Sequence, residues 1–281
     1  MAQFTNQAQL RFNDTVIDSN VAVGEIREAL TVSKTAVVDE YTRDDTLTYV
    51  VSILNTGATA VTGVSVTDDL GADAAPFPLA FVEDSLLVYE NGVLQTEDPT
   101  VVAGPPLVVS GLTVPAGGNL LLIYQAEVTR FAPLGTNGSI TNTVSVTGTG
   151  VTGPVTAEET VTARVAFDLT ITKAIDPVPV TENGRLTYTL TIRNWGNRPV
   201  VATDDVTVTD TFDPVLSDLT VTFNGEVWQE GVQYEYAQTT GAFSTNPGRI
   251  TVPAATFTRD PVTGELIVTP GVSTLIITGT V

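Results

Sequence analysis

Period-two alternation of apolar and polar positions runs through almost the whole chain, and its first instance is the most informative. Residues 4–10 read FTNQAQL and residues 140–146 read ITNTVSV. In the first copy Phe4, Ala8, Leu10 and Phe12 share a face with Asn6, while Thr5, Gln7, Gln9 and Arg11 share the other. This is the signature of a half-buried strand. In the internal copy Ile140, Val144 and Val146 take the inward positions around Asn142. A second strand is predicted within residues 16–26 (VIDSNVAVGEI), after a turn at Asn13-Asp14. Residues 151–165 end in a similar run, VTARV, so each of the two segments reads as a hairpin.

Two long stretches then repeat. The first begins LTVSKTAVVDEYTRDDTLTYVVSILNTG and the second LTITKAIDPVPVTENGRLTYTLTIRNWG. Lys34 pairs with Lys173, Tyr49 with Tyr188 and Asn55 with Asn194, each 139 residues apart. VSVTDDL and VTVTDTF follow and pair Asp68 with Asp210 after a small insertion. Self-similarity of this length indicates a duplicated module. Short alternating strands with hairpin turns at Asn91-Gly92 and Asn224-Gly225 predict antiparallel β-sandwiches, and no amphipathic helix is evident. The expected architecture is all-β: two tandem immunoglobulin-like antiparallel sandwiches plus an extended N-terminal strand or hairpin. The expected boundaries are an arm over 1–28, a complete first sandwich over 29–165, and a second over 166–281.

The first repeat continues through VPAGGNLLLIYQAEV to the ITNTVSV strand. The second continues through VTPGVSTLIITGTV to Val281, where another such strand would be due. One strand too many in front and one too few behind leads to the expectation that subunits complete each other head to tail. Fold-back of the arm onto its own second domain is the rival geometry, and a disordered tag the blander one. Donor and acceptor surfaces differ in such a contact, so it is heterologous and builds rings or open filaments.

Composition narrows the chemistry. Twelve basic against 32 acidic residues give a net charge of −20, which argues against nucleic acid and anionic membrane surfaces as partners. There is no histidine and no cysteine. Ser-His-Asp and Cys-His catalysis, disulfides and the usual nitrogen and sulfur metal ligands are thereby excluded. No apolar run approaches the ~20 residues needed to span a bilayer, and MAQFTNQAQL lacks the basic and apolar regions of a signal peptide. No cofactor, no metal site and no turnover enzyme are expected; the expected partners are copies of the chain itself.

Polar residues at inward phase carry the candidate chemistry. Lys34 lies among Leu30, Val32, Ala36 and Val38, and Lys173 among Leu169, Ile171 and Ile175. Asp68 follows Val64 and Val66, and Asp210 follows Val206 and Val208. Buried Lys and carboxyl groups are costly unless paired. Lysine, carboxylic acid and asparagine together meet the needs of a spontaneous Lys–Asn isopeptide bond: a neutral amine, an acid that polarises the amide, and loss of ammonia. The candidate sets are Lys34, Asp68 and Asn142 within the chain, and Lys173, Asp210 and Asn6 between subunits. Asn55 and Asn194 share the inward phase and are rival acceptors. A noncovalent Lys–Asp cluster is the simpler reading.

The motif order L-T-x-x-K, L-T-Y, N-x-G, V-T-D and I-T-N-T-V resembles the bacterial surface repeat known as domain of unknown function eleven. Its bearers are Lys34, Tyr49, Asn55, Gly57, Asp68 and Asn142, then Lys173, Tyr188, Asn194, Gly196 and Asp210. That resemblance implies immunoglobulin-like sandwiches in extracellular bacterial proteins, usually in stalk-like arrays, without enzyme activity. The isopeptide chemistry likewise resembles that of Gram-positive pilin and adhesin sandwiches. The reading is a subunit of an extracellular filament or pilus. The alternatives are a two-module adhesin or stalk fragment using Trp195, Trp228 or Tyr234, and a calcium-bound surface-array module using Asp44-Asp45 and Asp204-Asp205.

Overall fold

The computed structural model describes residues 2–26, 29–97 and 99–281; the expected end of the arm at residue 28 lies outside them. The described chain is β-structure throughout, apart from turns and a single 3-10 turn at Ala202–Asp204. Contacts divide it into two compact units. The first comprises residues 1–132 and 140–161, and the second residues 133–139 and 162–281.

The chain opens with a hairpin in two ladders. Ala2–Asn6 pairs with Ala22–Ile26, and Gln9–Phe12 pairs with Thr15–Asp18. The ladders are joined where Ser19 N–H donates to the Ala8 carbonyl, at 2.8 Å, and Ala8 N–H to Ser19 Oγ, at 2.9 Å. Asn13, at φ 47°, makes the turn. Directly paired residues share a face. One face therefore carries Phe4 with Gly24, Asn6 with Ala22, and Leu10 with Ile17. The other carries Gln3 with Glu25, Gln9 with Asp18, and Arg11 with Val16. A Cβ on Gly24 would lie 2.3 Å from the Phe4 ring, so the glycine lets the ring lie flat across the ladder. Side chains from residues 3 to 23 are all exposed.

The first unit is a sandwich of two antiparallel sheets. In one, the order is Val93–Leu94, Leu87–Glu90, Asn119–Val128, Thr46–Asn55 and Leu30–Ala36, with Leu79–Phe81 also on Asn119–Val128. In the other it is Thr100–Val102, Leu107–Val114, Val61–Asp68, Ser139–Thr147, Val155–Ala163 and Glu40–Tyr41. Alternation is regular: Leu47, Tyr49, Val51 and Ile53 point inward from one sheet, Val64, Val66, Val144 and Val146 from the other. The Asn91-Gly92 turn has both residues at positive φ, as a two-residue hairpin requires.

The second unit repeats the five-strand path of the first sheet, without a separate counterpart of Leu79–Phe81. Its order is Leu169–Asp176, Arg185–Asn194, Gly271–Thr280, Ser217–Phe223 and Glu226–Trp228, the last two joined by Asn224-Gly225. Tyr188 faces Ile277 where Tyr49 faces Tyr124. Its core gathers Leu190, Ile192, Phe212, Val221, Leu275 and Ile277. An added hairpin, Thr256–Arg259 with Leu266–Thr269, departs from the repeat.

The opposing sheet is where the units differ. Val61 pairs with Val114 in the first unit, and Val200 bridges Val252 in the second, so this side of the aspartate strand is equivalent in both. On its other side, Val61–Asp68 is covered by Ser139–Thr147. Thr209–Thr211 pairs only with Ala242–Thr245, and no described strand lies on its other edge. The inserted residues before Asp210 form the Ala202–Asp204 turn.

Candidate functional site

In the first unit Lys34 comes from one sheet and Asp68 and Asn142 from the other. Lys34 is opposite Val51 on the first sheet. Val144 is opposite Asp68 on the second, which places Asn142 two positions further along the same inward face. Lys34 Nζ is 2.5 Å from Asp68 Oδ2, with side-chain exposures of 0% and 2%. The Tyr124 hydroxyl donates to the same carboxylate oxygen, and Leu70 N–H donates to Asp68 Oδ1 at 3.0 Å. The lysine also lies over the Tyr49 ring, 4.9 Å from its centroid.

Burial dominates the electrostatics. Desolvation holds the Lys34 ammonium below its ordinary pKa, partly countered by Asp68, Asp69 and Glu159. Burial raises the Tyr49 and Tyr124 hydroxyls well above theirs, with Asp68 adding to the shift. Desolvation of this kind weakens the preference of the lysine for its charged form.

Asn142 stands apart from the other buried amides. Its carboxamide faces the Tyr49 and Tyr124 hydroxyls. Yet neither Nδ2 nor Oδ1, nor the Tyr49 hydroxyl, has a partner of hydrogen-bond geometry. Leaving such atoms unpaired costs ~1–3 kcal/mol each. The rival acceptors are fully employed. Asn55 donates to the carbonyls of Thr59, Val114 and Pro115 and accepts from Gly57 N–H. Asn194 donates to Arg198 and Pro253 and accepts from Asp168 and Gly196. Both pin turns of the backbone.

The second unit holds the same lysine and acid in the open. Lys173 Nζ is 2.5 Å from Asp210 Oδ2, but the side chains are 39% and 17% exposed. Lys173 lies 4.2 Å from the Tyr188 ring centroid and 5.4 Å from that of Phe212. Beside it, Ile171 and Ile175 are 53% and 45% exposed. Thr211 N–H bonds to Asp210 Oδ1, whereas Asp69 N–H, its counterpart, bonds to the Thr143 carbonyl of the covering strand. Ile277 replaces Tyr124, so Asp210 has no tyrosine donor. The remaining member of this set, Asn6, lies exposed on the hairpin with Phe4, Ala8, Leu10 and Phe12.

Tyr124 and Glu159 escaped the sequence reading. Tyr124 holds an inward position after Leu120 and Leu122, which was the available signal. Other candidates have structural employment. Tyr234 is buried against Phe243, which removes it from any binding surface, and Trp228 is half-buried on Phe223. Trp195 is 40% exposed. Asp204 binds Arg198 and the Val201 N–H, and Asp45 accepts from Thr42 N–H.

No family model matches the chain, so the resemblance to domain of unknown function eleven rests on its motifs, and no curated protein matches it. Solved structures do. The chain is similar to Gram-positive pilins and a surface-adhesin domain. The pilus backbone RrgB of Streptococcus pneumoniae is 12% identical, with a TM-score of 0.36 over 86% of this chain and 55% of that one. BcpA, the major pilin subunit of Bacillus cereus, is 13% identical, with a TM-score of 0.38 over 95% and 73%. ACE19, the collagen-binding subdomain of an Enterococcus faecalis surface protein, is 8% identical, with a TM-score of 0.32 over 48% and 99%. The chain thus spans little more than half the length of the RrgB backbone. No described helix is long and apolar enough to cross a membrane.

Proposed function

We propose that the chain is a structural subunit of an extracellular bacterial filament, joined head to tail by donation of its N-terminal strand to the second sandwich of a neighbouring copy. One contrast carries the reading. Lys34 and Asp68 are sealed by a strand bearing Asn142, whereas Lys173 and Asp210 lie open beside an uncovered edge. The sequence that resembles the sealing strand sits exposed on a hairpin with Asn6 in the matching place. Exposed apolar faces and free strand edges favour pairing with another chain.

The same residues supply a covalent lock. The neutral lysine Nζ attacks Cγ of the asparagine, the Nζ–Cγ bond forms, and the Cγ–Nδ2 bond breaks. The aspartic acid carries the proton released by Nζ to the departing nitrogen, which leaves as ammonia. Lys34 and Asn142 react within the first unit; Lys173 reacts with Asn6 of the neighbour. A monomeric adhesin has only the exposed Trp195 in its favour.

Intact mass analysis of purified protein boiled in denaturant tests this. The expected result is a ladder of subunit multiples, lighter than the summed sequences by one ammonia per bond. Monomer of unmodified mass, with no filaments by electron microscopy, overturns both assembly and lock.

A further inference from the structure

The hairpin of Ser139–Thr147 and Val155–Ala163 shows how a donated element would lie, and the N-terminal hairpin can be laid on it around Asn6. Internally, Ala163 N–H donates to the Gly138 carbonyl and Thr141 Oγ1 meets Thr160 Oγ1, each at 2.8 Å. At the N-terminus Ala2 opposes Ile26 and Thr5 opposes Val23. With Asn6 set on Asn142, these cross-strand relations coincide: Thr5 falls on Thr141, Val23 on Thr160 and Ile26 on Ala163. The correspondence holds for Ala2–Asn6 against Ala22–Ile26; beyond them the pairing shifts by one residue, from Asn6 opposite Ala22 to Gln9 opposite Asp18, and the turn is a tight Asn13-Asp14 link.

We infer, given the head-to-tail reading above, that the whole hairpin is the donated element and that it enters in a single register. Internally Val144 opposes Asp68, Ser145 opposes Thr67 and Val146 opposes Val66. The same register sets Ala8 opposite Asp210, Gln9 opposite Thr209 and Leu10 opposite Val208, and continues to Phe12 opposite Val206. The returning arm then covers the first on its far side, as Val155–Ala163 covers Ser139–Thr147. In the first unit the next neighbour is Glu40–Tyr41; the equivalent stretch ending at Val180 is in no strand.

Two observations argue against entry of the first arm alone, and a third sets the register. Stripping the returning arm away would break two ladders and leave their backbone groups to find new partners. The apolar face is built jointly, since Gly24 seats the Phe4 ring and Ile17 extends Leu10. The opposite face is polar on the first arm, with Gln3, Thr5, Gln9 and Arg11 facing water. A one-residue slip would turn those side chains into the core.

The chain has no cysteine, so paired cysteines report the register directly. Directly opposed residues in this kind of pair are ~5.5 Å apart at Cα, inside the range a disulfide bridges. Gln9→Cys with Thr209→Cys, on an Asn6→Ala background that forbids the lock, is expected to give disulfide-linked multimers on mild oxidation. Arg11→Cys with Thr209→Cys, displaced by two residues, is expected to give at least tenfold less. Ile17→Asn is expected to weaken assembly at least tenfold, and Val16→Asn, on the water-facing side, less than threefold. Filaments that cross-link through Arg11→Cys instead, or that tolerate Ile17→Asn, overturn the register or the hairpin while leaving strand donation standing. Absence of filaments in the unsubstituted protein overturns the head-to-tail reading itself.

Discussion

Replacing Asn142 by alanine separates the covalent from the noncovalent cluster by the sign of its effect on stability. A Lys34–Asn142 bond closes a loop on the order of 100 residues, worth ~4.7 kcal/mol in chain entropy. At roughly 4 °C per kcal/mol for a unit of this size, Asn142→Ala lowers the first unit's melting temperature by about 15–20 °C. Without the bond the change runs the other way. Two buried amide atoms without partners disappear, relieving ~1–3 kcal/mol each, offset in part by a small cavity. Lys34 keeps Asp68 in either case, so no orphaned charge confuses the comparison. Scanning calorimetry of both proteins, with intact masses taken from the same samples, decides the matter. A variant that melts within a few degrees of the parent or above it, beside a parent of unmodified mass, refutes the bond.

Further outcomes follow from the open site and the buried amine. Asn6→Ala removes the denaturation-resistant ladder but keeps the first-unit loss of ammonia and the filaments seen by microscopy; loss of the filaments themselves would show that the lock, not strand pairing, holds subunits together. Leu10→Ala, in a position equivalent to the buried Val146, costs about 2 kcal/mol or more, roughly 30-fold in association measured by light scattering on the Asn6→Ala background. In Asn142→Ala protein the folded Lys34 binds its proton less tightly than the unfolded lysine, whose value is 10.5. Stability therefore rises with pH as the folded amine deprotonates. It falls again above about 10, where unfolded tyrosines ionise and the buried Tyr49 and Tyr124 resist. Chemical denaturation across pH 7–11 checks this, and a flat profile below 10 contradicts the assignment of Lys34 as a desolvated amine.

Much of the architecture was legible because alternation is a local signal and the duplication repeats it. The common spacing of Lys34, Tyr49 and Asn55 from their later copies marks two like units, and Asn91-Gly92 and Asn224-Gly225 mark their hairpins. Phase along a strand says that a side chain points inward, but not what it meets there. Asn55 and Asn142 are alike in phase, yet one is consumed by the carbonyls of a turn and the other has no partner. The inward phase of Tyr124 shows in the sequence, but its hydroxyl matters through Asp68, a residue of the opposite sheet, which phase does not reveal. Alternation also overstated the second aspartate strand, where only Thr209–Thr211 pairs. A strand needs neighbours as well as pattern, and here one edge meets no described strand.

The position of Lys34 has a mechanical consequence. It lies on the strand that begins just beyond the hairpin, and Asn142 lies on the penultimate strand before the chain passes to the second unit. A pull transmitted along a filament would enter the first unit at one of these strands and leave near the other. An amide joining the two side chains would carry tension straight across, bypassing the roughly 100 residues between them, which would have no slack to give. The first sandwich would then behave as a link of fixed length, and stretching would fall to the joints.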